Sequence, residues 1–390
     1  MLIGRDRRRT LSESHWTGHC SQGLLAPLRY NNEMANRLLF ASVCTITLVF
    51  ASCNSAPSSD VRPAATNLAI PAAFKRDWSN SPAVVQLDTS ETVYAVGDPH
   101  ADYNRLVTLL TGAKLIAGAP PSPGKVTWTA GKSVVVFTGD LIDKGTDSLG
   151  VISLVRALQT AAAAAGGRVI VLMGNHEAEF LAAPTEKKVS EFAGELNAAQ
   201  ISPVDVAACH GDLGTFLCNL PIAARVNDWF FSHGGNTAGR TLAALTNDLQ
   251  SGIDKDGFGS QQLVGDDSLL EARLGSTPWF QPNGADAKVT LAAYAKALGV
   301  AHMVQGHQPG KVEFADGTTR AAGEMFQRYG LLFLEDTGMS SGIDNSLGAV
   351  LKIAKRESER ATAICFNGTA TDLWSQTGAL ADMGRLAPCR

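Results

Sequence analysis

Five short polar islands each follow or end a hydrophobic run: Gly97-Asp98-Pro99-His100, Gly139-Asp140-Leu141-Ile142-Asp143-Lys144-Gly145, Gly174-Asn175-His176-Glu177, His233-Gly234-Gly235 and Gly306-His307. The runs before them (92–96, 133–137, 168–173, 229–231 and 301–304) are short, β-rich and without strict alternation, as in strands covered on both faces. Helical patterns are expected between them, at 103–112, 147–165, 178–198 and 285–298. Strands that alternate with helices constrain the chain to an α/β fold. Such folds gather functional groups beyond the carboxyl ends of their strands, so the islands are expected on one edge of a sheet. A glycine before a polar residue lets the chain leave the strand sharply.

The side chains so gathered are carboxylates, an amide and imidazoles. That mixture suits two adjacent divalent metals, which need a bridging carboxylate with oxygen and nitrogen donors. Asp98 and His100, at i and i+2 of an extended stretch, point the same way. Asp140 is the natural bridge, and Asn175, His233 and His307 complete the expected metal ligands. His176 is read as a general acid, with Asp143 fixing its tautomer. Glu177 is expected to support its loop, and Lys144 to present a positive charge to phosphate. A hydroxide held between the metals would then attack phosphorus in line. His210 and His302 lack such a setting and are read as surface or core residues.

With 390 residues, 45% of them hydrophobic, the chain can bury one large core, or one core and a cap. A charged fraction of 18% and a net charge of −4 argue against a nucleic-acid partner. Residues 38–51 form an apolar run preceded by Arg37, shorter than the ~18 residues of a membrane span and matching a secretory signal. It ends in Phe50-Ala51-Ser52-Cys53, which resembles a bacterial lipobox. The expectation is an exported periplasmic or outer-membrane lipoprotein, touching the membrane only through lipid on Cys53. Met34 opens the signal, so residues 1–33 read as a misassigned upstream extension, 34–53 as the signal, 54–80 as a tether and 81–390 as the catalytic domain. Six basic and three acidic residues lie in 1–52, so their removal moves the net charge from −4 to −7.

Cys209, Cys218, Cys365 and Cys389 remain, an even number in an exported chain. Neighbour pairing is the simplest of three connectivities, and the spacing leaves the others and free thiols open. Residues 181–227 are read as a helical cap insert, and 236–284, rich in Gly and Asp, as mostly loop. The strand-like runs at 329–334, 349–353 and 361–366 are expected to complete a second sheet.

The island series resembles that of the calcineurin-like metallophosphoesterase superfamily. Gly-Asn-His-Glu, His-Gly-Gly and the insert between them look most like the bacterial Shewanella-like phosphatases, relatives of the phosphoprotein phosphatases. The resemblance covers roughly residues 90–355. It implies a four-layered α/β/β/α sandwich of two mixed sheets with a dinuclear site of manganese, iron or zinc, acting on phosphomonoesters, of phosphoproteins or of small molecules. The phosphoprotein phosphatases usually place Arg where Lys144 stands, and lysine lacks the bidentate fork. The local candidate for a second phosphate-binding arginine is Arg273, since Trp279-Phe280-Gln281 offers none. Asp336 sits where relatives carry an Asp and is expected to orient a metal-ligating histidine. Two alternatives are a nucleotide or sugar-nucleotide phosphoesterase and a non-catalytic envelope lipoprotein that binds a partner.

Overall fold

The structure is a computed structural model; it describes residues 74–275, 284–314, 316–355, 357–378 and 382–390. The signal, Cys53, most of the tether and Trp279-Phe280-Gln281 lie outside the described residues. The packed domain already includes Arg76, whose guanidinium donates to the carbonyls of Ser81, Pro82, Cys218, Asn219 and Leu220.

Two sheets carry the fold. One runs, in spatial order, β1 (Val84–Leu87), β5 (Ala223–Val226), β6 (Trp229–Ser232), β7 (His302–Gln305), β11 (Leu332–Leu334), β10 (Met325–Arg328) and β15 (Met383–Leu386). The other runs β14 (Ala370–Ser375), β13 (Glu359–Cys365), β12 (Ala349–Lys355), β2 (Val93–Val96), β3 (Val134–Phe137) and β4 (Arg168–Val171). A hairpin of β8 (Val312–Glu313) and β9 (Thr319–Arg320) stands apart.

Strand alternation builds the layers. Val93, Ala95, Val134, Val136, Ile170, Phe231, Val304 and Phe333 join one core with residues of both sheets. Their neighbours Val96, Val135, Phe137, Val169, Val171, Phe230, Met303 and Leu334 join a second core with the helices. Each central strand is therefore covered on both faces, which explains the unbroken apolar runs. The helices are α1 (Tyr103–Gly112), α2 (Ser148–Ala164), α3 (Asn175–Ala182), α4 (Ser190–Ala198), α5 (Pro203–Ala207), α6 (Gly211–Cys218), α7 (Leu242–Asp256), α8 (Gln261–Val264) and α9 (Gly284–Leu298). The result is the expected α/β sandwich of two mixed sheets with helices outside.

Several expectations need correction. The islands lie on two sheets: β2, β3 and β4 supply three, while β6 and β7 supply two. The late strands complete both sheets rather than one, because β11 pairs in parallel with β7 while β12 pairs antiparallel with β2. The helix expected at 178–198 stops at Ala182, because Pro184 lacks an N–H and disfavours helical backbone at Ala183, found at φ −153° and ψ 75°. The helical insert ends before β5, which is a core strand between β1 and β6. The segment 236–284, read as loop, contains α7. Thr241 caps it by accepting from the Ala244 N–H, and Leu245, Leu249 and Ile253 recur every four residues on its buried face. Disulfides join Cys209 to Cys218 and Cys365 to Cys389.

His210 is exposed and His302 is a core residue, as the sequence suggested. The His302 ring stacks on Trp229 at 4.0 Å, meets Trp374 edge-on at 4.5 Å, and donates from Nδ1 to the Gly330 carbonyl at 2.5 Å. Burial pushes its imidazole down to about 4. The unfolded chain therefore takes up this proton first as pH falls. The stabilisation is complete above about pH 6.5 and lost toward pH 4, with roughly 3 kcal/mol at stake. His302→Phe is expected to flatten the pH dependence of urea-unfolding free energy in that window. An unchanged slope would contradict the assignment.

Candidate metal centre

The second and third islands are brought together by Glu177, while the His100 N–H of the first donates to the Asp140 carbonyl at 2.9 Å. The Glu177 carboxylate accepts from the N–H groups of Gly174 (2.8 Å), Asp140 (3.0 Å), Leu141 (2.7 Å) and Ile142 (3.3 Å). The loop-supporting role read from sequence thus has four hydrogen bonds behind it. Burial and the neighbouring Asp140 raise this carboxyl to about 7. Glycine is required where the islands meet. A Cβ at Gly174 would lie 2.0 Å from Asp140 Oδ1, and one at Gly306 would lie 2.3 Å from Asp98 Oδ1.

Asp98, His100, Asp140, Asn175, His233 and His307 converge, and none is more than 5% exposed. Charges in so dry a site interact far more strongly than in water. Two compact groups share Asp140: His100–Asp140–His176 and Asp140–His233–His307, each with its donor atoms within 4.8 Å of one another. Asp140 Oδ2 lies 3.4 Å from His100 Nε2 and 3.3 Å from His233 Nε2, while Oδ1 accepts from the His176 N–H at 3.0 Å. Asn175 Oδ1 joins the second group, 2.9 Å from His233 Nε2. Asp98 belongs to neither compact group; its Oδ2 accepts from the His307 N–H at 2.8 Å.

Backbone carbonyls orient two of the rings. His100 Nδ1 donates to Ile142 (3.1 Å) and His233 Nδ1 to Thr138 (2.9 Å), while His307 Nε2 accepts from the Arg273 Nε–H (3.0 Å). In those tautomers His100 Nε2 and His233 Nε2 keep their lone pairs toward the cluster. His307 Nδ1 and His233 Nε2 are 3.0 Å apart. The His233 Nε2 lone pair also faces the acceptor oxygens Asn175 Oδ1 (2.9 Å) and Asp140 Oδ2 (3.3 Å), and acceptor facing acceptor is an arrangement a cation satisfies. Asp98 agrees: burial, Asp336 and Asp140 together push its carboxyl well above the usual range. The donor set therefore fits divalent metal ions. Asp336 does not orient a histidine as expected. Its Oδ1 accepts from the Gly338 N–H of its own loop, and no hydrogen bond joins it to a histidine among the described residues.

His176 Nδ1 lies 3.0 Å from Asp143 Oδ2, which turns Nε2 away from the carboxylate. Burial opposes protonation, but Asp140 and Asp143 outweigh it and push the imidazole up to about 9. For Asp140, burial is outweighed by His233 and His176, which hold the carboxyl well below its usual range. Lys144 stands exposed at the end of the second island, and its ammonium makes no ion pair among the described residues. Arg273 is at the site: its Nε–H donates to His307 Nε2 at 3.0 Å. Sequence reasoning missed Thr138, whose carbonyl accepts from His233, and Glu191 and Ser340, whose side chains hold the Lys144 backbone; none of them leaves a motif.

The comparisons with known proteins agree with this geometry. The calcineurin-like phosphoesterase profile matches residues 91–311. The chain is similar to Shewanella-like protein phosphatase 2 of Arabidopsis thaliana, 32% identical over 26% of this chain and 25% of that protein. It is also similar to Shewanella-like protein phosphatase 1 of Plasmodium berghei, 30% identical over 37% of this chain and 38% of that one. The matched segments thus span between a quarter and two-fifths of those relatives. In structure it resembles the cold-active protein-tyrosine phosphatase of a psychrophilic Shewanella species, with a TM-score of 0.56 and 21% identity, over 75% of this chain and 84% of that one. That likeness speaks to the fold. The profile spans more than half of the chain and includes all five islands, so the chain belongs to the calcineurin-like phosphoesterase family.

Proposed function

We propose that the chain is a dinuclear metal-dependent phosphatase that hydrolyses phosphomonoesters, with phosphoproteins as the leading substrate class. The observation that carries this reading is the single Asp140 oxygen set between His100 Nε2 and His233 Nε2, shared by two donor groups. Asp98, His100 and Asp140 would hold one cation; Asp140, Asn175, His233 and His307 would hold the other. Manganese, iron and zinc all suit these donors. When bound, such cations supply Lewis acidity toward phosphoryl oxygens and lower the pKa of water.

The remaining chemistry belongs to the chain. His176, held through Nδ1 by Asp143, offers Nε2 to protonate the leaving oxygen. Lys144 and Arg273 supply positive charge for the phosphate group. The relatives named protein phosphatases support phosphoproteins. The insert favours them over nucleotides: its Phe192 is buried against Phe180 and its Phe216 lies beneath Arg156, which leaves no ring for base stacking. An exported setting is part of the same reading, supported by the two disulfides. A mature protein whose mass retains residues 34–52 would contradict export.

A panel of aryl phosphate, phosphotyrosine peptide, phosphoserine peptide and nucleotides tests the substrate. Metal-loaded protein is expected to cleave the aryl phosphate and at least one peptide faster than any nucleotide. A preference for nucleotides would turn the reading to the nucleotide phosphoesterase.

A further inference from the structure

Asp143 and Lys144 are consecutive non-glycine residues in the left-handed region, at φ 58° and 56°. Such backbone persists only where surroundings hold it. Here the support comes largely from one helix. Glu191 Oε2 of α4 accepts from the Lys144 N–H at 2.6 Å, and the Phe192 N–H donates to Asp143 Oδ1 at 2.9 Å. Glu195, one turn on, accepts from the N–H groups of Ser148 (2.9 Å) and Leu149 (2.7 Å), capping α2. From the other side, Ser340 Oγ donates to the Lys144 carbonyl at 2.5 Å.

The same helix reaches His176. The Phe192 ring packs against Phe180 of α3, centroids 4.7 Å apart, and α3 carries His176 in its first turn. Asp143 thus does two jobs: one oxygen satisfies an orphan N–H at the positive end of α4, and the other faces His176 Nδ1. Both partners of the proton-handling pair, and the lysine beside them, take their position from α4.

We propose that α4 is the positioning brace of the site, with Glu191 the positioning residue that holds the Lys144 backbone so that its ammonium meets the phosphate; this rests on the phosphatase reading above. Glu191 is exposed and lies outside the donor cluster, so its replacement spares the core. An acceptor is what the position needs, so glutamine should serve and alanine should not.

The test uses the metal-loaded protein with an aryl phosphate, and hydrogen–deuterium exchange of the metal-free protein. Glu191→Ala is expected to raise KM roughly tenfold with a much smaller change in kcat, and to speed exchange at the Lys144 amide. Glu191→Gln is expected to restore both. In a Lys144→Met background, Glu191→Ala should add no further rise in KM, because the side chain it positions is gone. An unchanged KM in Glu191→Ala, or an equal rise in the Lys144→Met background, would overturn the proposal. Should the wild-type protein cleave no ester, the phosphatase reading fails, and exchange at the Lys144 amide alone decides whether Glu191 braces the loop.

Discussion

His176→Ala is expected to lower aryl-phosphate turnover about 10²–10⁴-fold while leaving bound metal close to the wild-type amount. The geometry separates the two readouts. His176 Nδ1 is committed to Asp143 Oδ2 at 3.0 Å, and its backbone N–H, which alanine retains, holds Asp140 Oδ1. The substitution removes the proton carrier and keeps the bridging carboxylate in its rotamer. Steady-state kinetics beside metal analysis of the same preparation check it. Loss of metal in step with activity would make His176 a ligand rather than an acid, an outcome its proximity to His100 and Asp140 leaves available to experiment.

Asp140→Asn should act in the opposite way. Asparagine keeps an oxygen for the His176 N–H, so the loop has the same hydrogen bond. What disappears is the charge between His100 and His233, on which both donor groups depend. Bound metal is expected to fall by half or more, and turnover by on the order of 10³-fold or more, since charge set where phosphoryl charge develops dominates such catalysis. Urea unfolding of the metal-free variant should stay near wild type. Full metal content in Asp140→Asn would contradict its role as the bridge.

The parts of the fold that were legible in the sequence are those written locally. Helix α1 was found at its true bounds because Leu106, Val107, Leu109 and Leu110 mark one face, behind the Asp102 cap. The runs before the islands were found as strands because both faces are buried. What escaped is non-local or hidden by composition. No periodicity reports that β6 and β7 pair with β5 and β11 and not with β2, β3 or β4, so the islands were placed on one sheet. Helix α7 was obscured by the glycines and aspartates around it, although Leu245, Leu249 and Ile253 carried its period. At the site, the six residues that converge all follow strands and were visible as islands. The groups that orient them include backbone carbonyls, at Ile142 and Thr138, which any residue type can supply. For the same reason Asp336 was assigned a histidine that a carbonyl in fact holds.

Metal bound per chain, measured alongside aryl-phosphate turnover as metal-free protein is titrated with manganese, tests the dinuclear reading most directly. The expected result is two equivalents bound, with turnover appearing as the second is taken up and absent in Asp140→Asn. A protein that binds two equivalents and cleaves neither monoesters nor diesters would contradict it, and would leave the fold as a binding module.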